Sequence, residues 1–173
     1  MDLALTAISG ISVSIFCVNI IYKTLYTTAD KSINLITSIT TKPQYCFKEI
    51  DDLIEKTDLI CKINKIKHII TYIKSEHEII KDCIIDLTDH LEKLNILLES
   101  IKNKKEYQES LYLGEWGFRS PNCEELIKKL EISNSILNTR FEYFLHCVQL
   151  LNAINTLDIQ EEYNKSCIKY PLK

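Results

Sequence analysis

The stretch from Ile66 to Ile101, IKHIITYIKSEHEIIKDCIIDLTDHLEKLNILLESI, decides the fold of this chain. Eleven of its positions follow one another at alternating steps of four and three residues, and ten of them are aliphatic: Ile66, Ile70, Ile73, His77, Ile80, Ile84, Leu87, Leu91, Leu94, Leu98 and Ile101. Such a seam lies along one side of an α-helix and is typical of helices packed at shallow angles. One long helix fits the seam. Two helices meeting near Ser75 fit it as well, because Ser75-Glu76-His77-Glu78 has the form of a capping box.

The rest of the chain also predicts helices. Glycine and proline are absent from Gln44–Leu113 and Asn122–Tyr170, and uninterrupted stretches of that length cannot be strands joined by turns. Residues 122–157 carry a second seam with the same steps. We therefore predict an all-α protein, a four- to five-helix bundle with long antiparallel helices. Residues 1–157 form one domain that begins with an apolar helix at 3–26, and residues 158–173 form a polar tail.

Charge and composition argue against several functions. The net charge is −3 and only two residues are arginine, so we expect no nucleic-acid partner. The seven cysteines include no CxxC pair, which predicts reduced thiols in a cytoplasmic setting. Cys61 and His68, like Cys83 and His90, are seven residues apart, too far along a helix for one zinc ion. No catalytic motif occurs, so we expect no enzyme, metal, cofactor or small-molecule substrate.

Two further features are candidate sites. His77 interrupts the aliphatic seam, and a desolvated imidazole there would make packing sensitive to pH. The simpler readings are a core or rim histidine satisfied by a neighbour, or a helix junction at Ser75 that leaves His77 exposed. The segment LYLGEWGFRSPN holds the only tryptophan. We read Trp116, Phe118 and Arg119 as an interface for a partner or membrane, or as a corner that seals the bundle.

The opening stretch LALTAISGISVSIFCVNIIY, Leu3–Tyr22, has no charged residue. Its length matches the hydrocarbon core of a bilayer, and the lysines that follow place its C-terminal side in the cytosol. It also holds many small and polar residues, which suit a helix packed among other helices. Both readings assign contact with a membrane or with partner helices to the same side chains: Leu5, Ile8, Gly10, Ile11, Val13, Ile15, Phe16, Val18, Ile20, Ile21 and Tyr22.

The same opening carries a family resemblance. Asp2, the run Gly10-Ile11-Ser12-Val13, and Tyr22 with Tyr26 resemble the first helix of HeLo and HeLo-like domains of fungal cell-death and immune-receptor proteins. The N-terminal bundle of the mixed-lineage kinase domain-like pseudokinase belongs to the same comparison. The resemblance implies a bundle that shelters its first helix until activation and then delivers it to a membrane. No catalytic residue follows from it.

These observations predict a non-enzymatic module for protein association, and the resemblance to HeLo domains implies conditional membrane engagement, as in cell-death or immune signalling. We expect membrane lipids and either a protein partner or self-association through helices. We also expect a cytoplasmic location, peripheral to a membrane or inserted through the first helix. Two alternatives stay open. One is a constitutive single-pass protein with a cytosolic helical scaffold, and the other is a soluble helical adaptor.

Overall fold

The computed structural model describes residues 3–41, 47–73, 77–112 and 123–168, with side chains for 19–41, 47–73, 77–110 and 123–154. These residues form five α-helices and no strand. The helices are α1 (Leu3–Thr40), α2 (Lys48–Lys56), α3 (Leu59–Tyr72), α4 (Glu78–Tyr112) and α5 (Glu124–Ile168). The all-α class and the helical bundle are therefore confirmed.

The first helix is longer than its sequence pattern suggests. The sequence pattern predicts an apolar helix at 3–26, whereas the structure has one helix, Leu3–Thr40. No glycine or proline lies between Gly10 and Pro43, so no residue in this interval forces the backbone out of the helix. The helix ends at Thr40, close before Pro43, as expected from the effect of proline on the residue before it.

The long seam is carried by two helices. Helix α3 ends at Tyr72, and Ile73 turns extended with φ −87° and ψ 111°. Helix α4 begins at Glu78, and the carbonyl of His77 accepts hydrogen bonds from the amides of Ile80 and Lys81. The structure thus favours the helix junction near Ser75 over a single continuous helix.

The last helix also extends past its predicted end. We expected it to stop at Leu157 and to be followed by a polar tail, but the helical backbone of α5 continues to Ile168. Residues 158–168 contain neither glycine nor proline, so their polarity alone does not end the helix. The predicted boundary was wrong because polar composition was read as the absence of structure.

The core lies where the seams predict it. Nine of the eleven seam positions are at most 5% exposed, and they pack against a buried stripe of α1. That stripe comprises Leu25, Ala29, Ser32, Ile36 and Ile39, each 0% exposed. Burial of large aliphatic side chains at about 1.5–3 kcal/mol each is the main force that holds these helices together.

Side-chain contacts define the helix directions. Asn95 of α4 contacts Thr28 of α1, and Lys105 contacts Ile39, so α1 and α4 run parallel. Ser133 and Arg140 of α5 contact progressively earlier residues of α4, so α4 and α5 are antiparallel. Helix α1 packs mainly on α4 and α3, and α2 reaches α5. If α2 and α3 are counted as one broken rod, the bundle has four rods. Their order around the bundle is α1, α4, α5 and the α2–α3 rod.

Candidate functional site

The predicted membrane or partner helix falls mostly on residues whose side chains are not described. Of its members, Leu5, Ile8, Gly10, Ile11, Val13, Ile15, Phe16 and Val18 lie outside the described side chains. Asn19 and Ile20 are exposed, Ile20 at 48%, and Ile21 and Tyr22 are half-buried. None of the helices, over the residues that the structure describes, is both long enough and apolar enough to span a bilayer.

The other two predicted sites have different outcomes. Trp116, Phe118 and Arg119 lie outside the described residues. His77 is exposed at the junction between α3 and α4 and is not a desolvated member of the seam. The prediction that His77 is desolvated and makes the packing sensitive to pH is therefore corrected. The chain leaves the helical path after Tyr72, so the three-four spacing no longer turns this side chain toward the core.

Two polar contacts anchor the second half of α1 in the bundle. In the first, the buried Ser32 hydroxyl donates to Asn95 Oδ1 at 2.6 Å, and Asn95 Nδ2 donates to the carbonyl of Thr28 at 3.2 Å. All three residues are at most 9% exposed. Hydrogen bonds between otherwise dry helices fix their register, because a slip would leave each of these groups buried and unsatisfied.

The second contact caps the C-terminal end of α1. Lys105 is 4% exposed, and its ammonium donates to the carbonyl of Ile39 at 2.5 Å and lies 3.3 Å from Asp51 Oδ2. It also lies 6.0 Å from the centre of the Phe47 ring. Burial raises the pKa of the Asp51 carboxyl, while the Lys105 ammonium acts in the opposite direction. One cation therefore joins α1, α2 and α4 and neutralises the negative end of the α1 dipole.

A buried histidine occupies the interface between α4 and α5. His90 is 4% exposed, and its Nε2 donates to the carbonyl of Ser133 at 2.8 Å, with the Ser133 hydroxyl at 3.2 Å. Burial lowers the pKa of His90, although the hydrogen bond to Ser133 opposes that effect. The imidazole is thus held neutral in the interface. One turn away, Arg140 binds both the carbonyl and a carboxylate oxygen of Asp86, at 2.7 and 2.9 Å.

The cysteines of the same interface are shielded. Cys83 and Cys147 are 6% and 8% exposed and hydrogen bond to each other across α4 and α5. Burial, together with that hydrogen bond, raises the pKa of Cys83 to about 12. A thiol with so high a pKa is almost never ionised near neutral pH and reacts slowly. Both are small buried residues of the core.

An open groove lies between α3 and α5, with Tyr26 of α1 in its floor. It encloses about 900 Å³ and is lined by Tyr26, Cys61, Asn64, Lys65, Lys67, His68, Ile69, Thr71, Phe141 and Leu145. Lys67 pairs with Asp30, and its ammonium lies 4.4 Å from the centre of the Tyr26 ring. The hydrogen bond to Asp30 raises the pKa of Lys67. Among the described residues that line it, the groove thus combines apolar side chains with lysines and has no carboxylate.

The helical pattern of the sequence did not reveal the buried polar contacts or the groove. In the sequence, Lys105 and the lysines of α3 carry no feature that separates a buried lysine from an exposed one. Which of them is buried depends on the neighbouring helices. Within the described ranges, no group of three or more His, Cys, Asp or Glu side chains is placed to hold a metal ion.

Comparison with known proteins gives a relative of undescribed activity and no family. No protein-family model matches the chain, and no solved structure matches it. An uncharacterized protein of Acanthamoeba polyphaga mimivirus is 31% identical over 108 residues, which cover 60% of this chain and 52% of the relative. The chain thus spans about half the length of this relative, whose name describes no activity. The resemblance to HeLo domains stays a prediction.

Proposed function

We propose that this chain is a non-enzymatic helical module that associates with proteins through its bundle and engages a membrane through the apolar first half of α1. The observation that carries this proposal is the division of α1 within one continuous helix. Its second half buries one stripe, from Leu25 to Ile39, while Asn19 and Ile20 are exposed and Ile21 and Tyr22 pack against the edge of the core. The uncharged stretch Leu3–Tyr22 precedes this anchored segment on the same helix, and its length matches the hydrocarbon core of a bilayer.

The buried stripe limits which part of α1 can leave the bundle to contact a membrane. Releasing all of α1 would remove Leu25, Ile36 and Ile39 from the core, together with the buried contacts to Asn95 and Lys105. That loss would be comparable with the 5–15 kcal/mol typical of a whole domain's stability. We therefore propose that Leu3–Tyr22 contacts the lipid. The remainder of α1 stays packed in the bundle and holds this segment in position. Exposed Lys23 and half-buried Tyr22 suit the interfacial level of a bilayer.

Two other functions fit parts of the same geometry. A constitutive single-pass protein would use Leu3–Tyr22 as a permanent span, with the bundle as a scaffold on the cytosolic side. A soluble adaptor would shield the same stretch by self-association or by a partner helix. In all three cases the bundle from Asn19 onward is the folded support.

Vesicle flotation tests the proposal. The full chain and a variant lacking residues 1–18 are mixed with phosphatidylcholine–phosphatidylserine vesicles, and circular dichroism with thermal melting verifies that both are folded. This truncation spares Leu25, which a cut at residue 26 would remove. We expect the full chain to float with the vesicles and the folded truncated variant to stay behind.

The alternatives give other results. If neither protein floats, the membrane part of the proposal is wrong and the adaptor stands. If the full chain, expressed in cells, resists carbonate extraction while the truncated variant is released, the first half of α1 is a permanent span. Equal flotation of both proteins would move lipid contact from Leu3–Tyr22 to the bundle surface.

A further inference from the structure

The α3–α5 groove is an open position in the bundle. Lys62 of α3 donates to Asn134 of α5 at 3.1 Å and closes the groove at one end. Beyond this contact the two helices run in the same direction without packing closely, and Phe141, Leu145 and Ile69 line the space between them. Helical bundles fill such furrows by seating the side-chain ridge of another helix in them.

The length of the groove fits a short helix. Its α3 wall runs from Cys61 to Thr71, about 15 Å at the helical rise, or nearly three turns. The volume of about 900 Å³ is enough for the apolar face of such a helix rather than for a few atoms.

The charge around the groove indicates whether an acidic or a basic helix would bind there. Helix α3 carries Lys62, Lys65 and Lys67 and no acidic residue, within a chain of net charge −3. Lys67 is matched by Asp30, but Lys65 is exposed at the rim beside His68. A rim of this sign attracts carboxylates at the edges of a partner and repels a basic one.

We propose that the α3–α5 groove binds an acidic amphipathic helix of a partner protein. Its apolar residues, spaced at i, i+4 and i+7, would pack on Tyr26, Ile69 and Leu145. Its flanking carboxylates would pair with Lys65 and with Lys62 at the closed end. This proposal names a partner class for the association part of the proposed function and does not rest on the membrane part.

The test uses the full chain and a fluorescein-labelled synthetic helix of about 14 residues, with leucines at i, i+4, i+7 and i+11 and glutamates beside them. Fluorescence anisotropy measures its binding to the unmodified protein and to the double variant Lys65→Glu/His68→Glu. The matched control is Lys128→Glu, which reverses an exposed charge of α5 outside the groove. A peptide of the same composition with the leucine spacing scrambled controls for charge alone.

Cys61 gives a local readout, because it lines the groove and is half-buried, whereas Cys83, Cys123 and Cys147 are buried. We expect the peptide to slow alkylation of Cys61 by N-ethylmaleimide several-fold, as followed by mass spectrometry of digests. We also expect the double variant to weaken binding by about tenfold and Lys128→Glu to change it by less than about twofold.

Three results would overturn the proposal. One is equal binding of the scrambled peptide, and another is equal binding by the double variant. The third is a Cys61 alkylation rate that anionic vesicles lower and the peptide leaves unchanged, which would assign the groove to lipid. Repeating the peptide titration with the variant lacking residues 1–18 separates this proposal from the membrane one, because groove binding persists there even if flotation fails.

Discussion

At the scale of single residues, a few buried polar groups determine the register in which the helices pack. The buried apolar seam can slide by one heptad at little cost, since one aliphatic side chain resembles the next. A shift of the helices would break three buried polar contacts, because each has its partner at one place on another helix. These contacts are made by Lys105, Asn95 and His90. They therefore select one register among several that the seams allow.

Lys105→Ala is expected to destabilise the protein by about 3 kcal/mol, because the change leaves the Ile39 carbonyl and the half-buried Asp51 carboxylate without their cation. Urea unfolding near neutral pH measures the difference. Alanine at the exposed Lys93 of the same helix is the control, with an expected change within about 0.5 kcal/mol. Equal effects at the two lysines would contradict the buried role of Lys105.

His90 makes stability depend on pH. Its pKa in the folded protein lies below the ordinary value of 6.5, so the unfolded chain binds the proton more readily. The contribution of His90 is therefore complete above that value and is lost as the pH falls through 6.5 toward its folded pKa. Arg140 and Lys93 lower the pKa further, and Asp86 opposes them.

The corresponding measurement compares urea unfolding at about pH 7.5 and about pH 5. We expect His90→Gln to lose less stability than the unmodified protein between these two conditions. His146→Gln, at an exposed position of α5, serves as the control and should retain the original loss. A slope unchanged by His90→Gln would show that other groups cause the acid sensitivity.

At the scale of the helices, interruptions define the architecture more than propensities do. Helices α2 and α3 together form one rod that is broken at Asp58, which adopts a left-handed conformation with φ 51° and ψ 40°. The break lets Leu59 and Ile63 enter the core after Ile50 and Ile54 have done so. An uninterrupted helix over the same residues would turn part of this apolar set away from α1.

Asp58 therefore invites a backbone test. Asp58→Gly should keep or slightly raise the stability, since glycine adopts a positive φ without steric cost. Asp58→Ala should lower it by about 1 kcal/mol, because alanine lacks the polar side chain that helps aspartate tolerate this conformation. Thermal unfolding of the two variants under identical conditions gives the comparison. A more stable alanine variant would mean that the rod prefers to be continuous.

At the scale of the whole molecule, the order of the rods is the least obvious feature. Helices α1 and α4 are parallel neighbours, and the connection from α3 to α4 joins rods that do not pack extensively on each other. This arrangement leaves α3 and α5 as parallel helices with the groove between them. The candidate docking surface is thus a consequence of topology.

Carbodiimide cross-linking tests that topology. Lys31 Nζ of α1 lies 2.8 Å from Glu99 Oε1 of α4, and both side chains are accessible. We expect mass spectrometry to find a peptide joined between these two residues. The pair Lys129 and Glu125, 2.6 Å apart within α5, is the positive control for the chemistry. The control link without the link between α1 and α4 would contradict parallel neighbours.

The sequence by itself determined the helical class and the buried face of α4, because spacing at three and four residues needs only local geometry. The end of the first helix, predicted at residue 26, lies instead at Thr40, close before Pro43. The junction near Ser75 was visible as an alternative but was not decided. The break at Asp58 and the continuation of α5 past Leu157 were missed, because neither carries a glycine or proline signal.

Only the tertiary structure decided which polar residues are buried and where the groove lies. Lys105 and Lys65 look alike in the sequence, yet one is 4% exposed and the other stands at the groove rim. His77 drew attention as the odd member of the seam, whereas His90 is the buried histidine. The reason is physical. Burial and pKa depend on what the neighbouring helices bring to a side chain, and a helical repeat shows which face is apolar but not which helix covers it.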